Sequence, residues 1–146
     1  MAGFIPLQSW GTEHSRPVTI SSLTLATGDL LEWAVGTATA TEADANTEHW
    51  QKKFVCMEPA TSSDTEVLAM QVLPGMLFEV ESANDSDSAD NGDRMLLTDK
   101  NTVNNTGTDS TAEEACFIQF GVLGAASDRR IYGEIVYGSG VNPDAA

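Results

Sequence analysis

Around Pro74-Gly75 the chain reads EVLAMQVLPGMLFEVE, from Glu66 to Glu81. Val67, Leu68, Met70, Val72 and Leu73 precede the pair, and Met76, Leu77, Phe78 and Val80 follow it, so two extended apolar segments meet at a turn. Pro then Gly suits a type II turn, with the fixed φ of Pro74 at the second position and a positive φ at Gly75. Tight hairpins prefer the primed turns that match strand twist. A Pro-Gly joint therefore predicts a corner in a barrel or sandwich, where the chain leaves one set of strands for another.

The rest of the chain extends that β reading. VTISSLTL from Val18 alternates, Gly28-Asp29 marks a turn, and LLEWAV and TATAT lie on either side of Gly36. FVCME resumes strand character and ends at Pro59, while RMLLTD, EACFIQFGVL and RIYGEIVY supply the last strands. Glu42 to Lys53 is polar and reads as a loop or short helical turn. Asn101 to Glu114 reads as a loop holding at most a short strand. No long amphipathic helix interrupts the series, and turn signals recur at the spacing of sandwiches and barrels. The predicted class is all-β, a small β-barrel or β-sandwich with an extended N-terminal arm.

The 146 residues suit one domain, and 41% hydrophobic content is enough for a core. Three parts are expected: an extended arm over residues 1–17, a β body over 18–137 and a flexible tail over 138–146. The arm carries Phe4, Ile5, Leu7 and Trp10 among Pro6, Gly11 and Pro17 with no period, and exposed apolar side chains on an arm call for a partner. Met1 to Trp10 lacks the basic start and long apolar run of a secretory signal, and no stretch approaches a membrane span. Synthesis in a cytoplasm and no membrane association are expected.

Twenty-two acidic residues against 7 basic give a formal net charge of −15. Such a chain repels phosphate backbones, so no direct nucleic-acid binding is expected. Cys56 and Cys116 sit in apolar strand contexts and read as buried, reduced thiols.

The candidate chemistries are weak. The acidic run NDSDSADNGD, Asn84 to Asp93, fails the EF-hand spacing, because counting from Asp85 places Asp90 where glycine belongs and Leu96 where glutamate belongs. It reads as a solvated turn, with an irregular cation site as the competing reading. His14, His49, Cys56 and Cys116 lack zinc-ligand spacing. There is no GxSxG elbow and no phosphate-cradling glycine loop. Glu79 and Glu81 share one strand face, whereas a glycosidase pair must flank its substrate from opposing walls. No catalytic residue, metal or cofactor is expected. Trp33 reads as core; Trp10 and Trp50 lie in polar neighbourhoods and would serve either a glycan platform or a subunit contact.

The order of features is similar to that of small capsid decoration (head stabilisation, or cement) proteins of tailed bacteriophages. The resembling segments are ATGDLLEWAVGTATATEA, KFVCMEPA, SDTEVLAMQVLPGMLFEVE, GDRMLLTDKNTVNN and ACFIQFGVLGAASDRRIYGEIV, spanning Leu25 to Val136. The resemblance implies a structural, non-enzymatic virion protein on the outer surface of an icosahedral head. It would be commonly trimeric and would clamp neighbouring major capsid subunits against internal DNA pressure. On that reading Phe4, Ile5, Leu7 and Trp10 dock on a capsid subunit or the adjacent protomer by adding an extended segment to a strand edge. Other readings are a different minor capsid or tail component, a carbohydrate-binding β-sandwich module, and an enzyme of trimeric β fold.

Overall fold

A computed structural model describes residues 3–7, 14–33, 36–108 and 113–143. These residues form eleven strands: β1 (Ile5–Pro6), β2 (Ser15–Thr19), β3 (Leu30–Trp33), β4 (Ala40–Glu42), β5 (Lys52–Cys56), β6 (Glu66–Gln71), β7 (Phe78–Ser82), β8 (Arg94–Asp99), β9 (Thr102–Thr108), β10 (Phe117–Val122) and β11 (Arg130–Ile135). Two short 3₁₀ turns, Ser88–Asp90 and Ala126–Asp128, lie among them. The chain is all-β.

The strands divide into a closed barrel and an open half-barrel. In the barrel, β7, β11, β10, β8 and β9 pair in that order, and a parallel pairing of β7 with β9 closes the ring at Glu81–Thr102 and Ser82–Val103. The half-barrel is a five-stranded antiparallel sheet ordered β2-β6-β5-β3-β4. Pro74-Gly75 lies between β6 of the half-barrel and β7 of the barrel, with Gly75 at φ +86°. It is the corner that the Pro-Gly pair demands, because the left-handed region suits glycine and a type II geometry turns the chain without splaying a hairpin.

Side-chain alternation sorts the core. In the barrel Phe78, Val80, Met95, Leu97, Val103, Phe117, Ile131 and Ile135 point inward and are all buried. Leu30, Val55, Met70 and Val72, on one face of the half-barrel, join the same cluster, so the two sheets share a core. The other face carries Val18, Leu31, Phe54, Cys56, Val67 and Ala69, which pack with Ile20, Leu25, Ala40 and Ala60 into a second, smaller core. With cores on both faces β5 is buried over four consecutive residues, Lys53 to Cys56. Burial on two faces erases the period-2 signal in such a strand.

The N-terminal segment departs from the expected free arm. Ile5 and Pro6 pair antiparallel with Glu79 and Phe78 at the start of β7, filling the edge of that strand which β9 leaves uncovered. Phe4 donates its N–H to Gly28 O at 2.8 Å, and its ring sits 6.2 Å from that of Phe117. Gly3 and Gly28 permit this approach, since a Cβ on Gly3 would stand 2.9 Å from the Gly28 carbonyl carbon. Ser15–Thr19 forms the outer strand of the half-barrel on β6. The body therefore begins at Gly3, not Val18: a nearby apolar segment is held at high effective concentration by its own chain and completes that chain's core.

At the other end, Gly140 donates to Trp50 O at 2.8 Å, and a Cβ on Gly138 would lie 1.9 Å from Gln51 O. Residues 138–140 are thus packed on the loop before β5 and belong to the body.

Candidate functional site

The four residues expected to dock on a partner separate. Phe4 is buried at 1% exposure inside the chain's own core, so it is corrected from interface to core residue. Ile5 is half-buried in β1. Leu7 is 44% exposed while its N–H donates to Leu77 O at 3.0 Å, which holds an apolar side chain outward on a fixed backbone. Trp10 lies outside the described residues.

The half-barrel ends in two strand edges, and their chemistry differs from that of the closed barrel. Leu68 of β6 turns its backbone away from β2: its N–H is taken by Glu58 Oε1 at 3.0 Å and its carbonyl by the Met57 N–H at 2.9 Å. Pro17, opposite Leu68, therefore directs its own backbone outward, together with Ser15 and Thr19 at the same period. A proline at that place removes one of the donors an added strand would use, a common protection of exposed edges. The opposite edge, β4, is three residues long.

Two lysines tie the half-barrel to the barrel. Lys53 is 1% exposed and donates to three carbonyls, His49 O at 2.9 Å, Gln51 O at 3.0 Å and Val136 O at 3.0 Å. All three ammonium donors are satisfied, as a buried charge requires. Burial pulls its pKa below the ordinary lysine value. Lys100, in the turn between β8 and β9, reaches Glu42 Oε1 at 3.0 Å, Asp29 Oδ2 at 3.6 Å and Thr24 O at 3.2 Å. Burial works against its charge, but the hydrogen bond to Glu42 and the charges of Glu42 and Asp29 raise its pKa overall.

The acidic run is a turn with most of its residues exposed, as expected, and its backbone is held by amides of the barrel. Asn105 Nδ2 donates to Asn84 O and Asp85 O at 3.0 and 2.9 Å, and its Oδ1 accepts from Asn84 N–H at 3.0 Å. Gln119, fully buried, donates from Nε2 to Asp87 O at 2.9 Å and to Asn91 Oδ1 at 3.0 Å. Ser82 Oγ donates to Asn84 O at 2.7 Å. These polar side chains face into the barrel beside its apolar layers, and the loop's carbonyls satisfy them. Asp87 caps the Ser88–Asp90 turn, and Arg129 Nε bonds Asp85 Oδ1 at 3.0 Å. The carboxylates of Asp85, Asp87 and Asp90 are thus engaged in local structure, and no group of three or more His, Cys, Asp or Glu with metal-holding geometry occurs among the described residues.

Both cysteines are free and buried. Burial pushes the Cys56 thiol up to about 12 and the Cys116 thiol up to about 11, which keeps both protonated and unreactive near neutral pH. Cys116 Sγ donates to Thr47 O at 3.0 Å. Glu79 and Glu81 point outward from β7, and Glu79 is paired with Arg130. Trp50 is half-buried with its Nε1–H bonded to the Glu48 carboxylate, so its polar edge is engaged within its own loop. Trp33, read as core, is half-buried at the rim of the second core, 6.0 Å from Phe54.

The fold and these contacts define a two-sheet β scaffold, closed at the barrel and ending in two strand edges at the half-barrel. No family model matches the chain, and no curated protein matches its sequence.

Proposed function

We propose that the protein is a structural virion component that binds the outer surface of a phage capsid and stabilises neighbouring major capsid subunits, acting as a trimer. The observation that carries the reading is the N-terminal segment: it supplies the last strand to both sheets, β1 on the barrel and β2 on the half-barrel, and holds Leu7 outward between them. A segment anchored at both ends presents side chains at low ordering cost, which favours binding to a fixed lattice. Three copies in one trimer would multiply a modest contact by effective concentration. The sequence resemblance and the all-β body support the same reading, and the net charge of −15 favours solubility of unassembled copies.

In this proposal Leu7 and Trp10 carry the docking, with Ile5 positioning Leu7 and Phe4 anchoring the segment at the barrel. The test is the thermal stability of expanded phage heads with and without added protein. Heads should rupture at a higher temperature when saturated, and Leu7→Asp should lose the gain while keeping the fold, since Leu7 is exposed. Heads that rupture at the same temperature at every protein concentration would overturn the proposal. Deleting residues 1–10 is not a clean test, because it removes Phe4 from the core.

A further inference from the structure

A cleft of about 530 Å³ opens at the end of the second core, between β2, the β3–β5 pair and residues 139–140. This is within the range of roughly 300–1,000 Å³ typical of small-molecule sites. Trp33 and Lys52 lie directly opposite each other across β3 and β5, and Leu31 and Phe54 share that face one pair further in. Phe54 forms the floor beneath the Arg16 guanidinium, which stands 5.1 Å from its ring centroid. The Lys52 stem lies along Gly140, close enough that a Cβ there would come within 3.2 Å of it. The cleft thus has an aromatic wall, an apolar floor and two cationic side chains, Lys52 with its stem near Gly140 and Arg16 with its guanidinium over the Phe54 ring.

The charge distribution singles this place out. Of the 7 basic residues, Lys100, Arg129 and Arg130 form ion pairs with carboxylates, and Lys53 is consumed by three carbonyls. Arg16 and Lys52 line the same cleft, and among the described residues neither ion-pairs with a carboxylate, in a chain holding 22 of them. Arg94, the seventh, is outside the cleft and has no ion pair among those of the described residues, so what marks the cleft is that two such bases line it together beside a half-buried indole.

We propose that this cleft binds a small organic carboxylate with a flat, ring-sized apolar body, the carboxylate between Arg16 and Lys52 and the ring against Trp33. This stands apart from the capsid reading and holds whether or not the protein binds heads. Charge-assisted hydrogen bonds supply the selectivity over a neutral analogue. At 0.15 M salt the remote acidic surface is screened beyond about 8 Å, while the cleft's own cations act at contact.

The experiment is an NMR titration of the isotopically labelled full chain with 2-naphthoate and, separately, 2-naphthamide. The expected result is saturable shifts of the Trp33 indole N–H and of the Lys52 and Gly140 amides with naphthoate, at least about tenfold weaker with naphthamide. The R16Q/K52Q double variant should weaken naphthoate binding at least about tenfold while leaving the amide binding unchanged. Arg16→Lys, which keeps the charge, should retain most of the affinity and guards against misfolding as the cause. No saturable shift, equal response to both compounds, or shifts centred elsewhere would overturn the proposal.

Discussion

The closed barrel is built from strands of 5 to 7 residues and the half-barrel from strands of 3 to 6, and the two end differently. In the barrel every strand has two partners, the short β1 completes the edge of β7, and one mouth is plugged by residues 84–93 bonded to Gln119, Asn105 and Ser82. The half-barrel keeps two outer strands, a core of smaller extent and a cleft at its rim. Closure removes edges and spends the backbone's hydrogen-bonding capacity internally, whereas an open sheet retains backbone and side-chain groups for something else. The barrel is thus the closed part of the molecule, and the half-barrel with its bordering N-terminal segment is the part that keeps open edges and the cleft.

The largest expected effect separates the two cores. Phe117→Ala, at the centre of the shared core, should cost about 3–5 kcal/mol in urea unfolding, while Leu25→Ala in the second core should cost about 2 kcal/mol. Equal losses would erase the distinction. Next comes the joint: Lys53→Met leaves the carbonyls of His49, Gln51 and Val136 without their donor and should cost about 3 kcal/mol. Hydrogen exchange should then accelerate at the joint before it does inside the barrel. Gln119→Leu should cost about 1–3 kcal/mol and raise exchange in residues 84–93 with little change in the half-barrel.

The smallest effect concerns pH. Burial raises the pKa of Glu32, on the half-barrel face toward the joint, with the Thr47 hydrogen bond opposing and nearby Asp44 adding to the rise. A raised folded pKa means that the folded state binds the proton more tightly. Its contribution is therefore fully present below the ordinary value of 4.5 and lost as pH rises through the folded pKa. Glu32→Gln, which can still accept from Thr47, should be slightly more stable than the parent near pH 7. The difference should shrink toward pH 4.5 in parallel urea titrations.

Much of the fold was legible where one physical rule acted alone. The Pro74-Gly75 corner followed from φ restrictions, and RMLLTD, Arg94 to Asp99, coincides with β8. The strand β9 was hidden because Val103 is its inward apolar residue and Asn105, also inward, is a polar plug contact, so alternation never showed. Phe4 was misplaced because its core partner, Phe117, lies more than a hundred residues away in sequence. The acidic run is exposed as the sequence suggests, but its anchoring was hidden because the amides that hold it, Gln119 and Asn105, come from other strands. The cleft was illegible for the same reason: Arg16, Trp33 and Lys52 meet only once β2, β3 and β5 are in one sheet.

The most direct measurement of the central claim is quantitative co-sedimentation of the purified protein with expanded phage heads over a range of ratios. A capsid-stabilising role predicts saturable binding, with bound copies in multiples of three per local threefold position and Leu7→Asp failing to saturate. Heads that sediment without bound protein at every ratio would contradict the account.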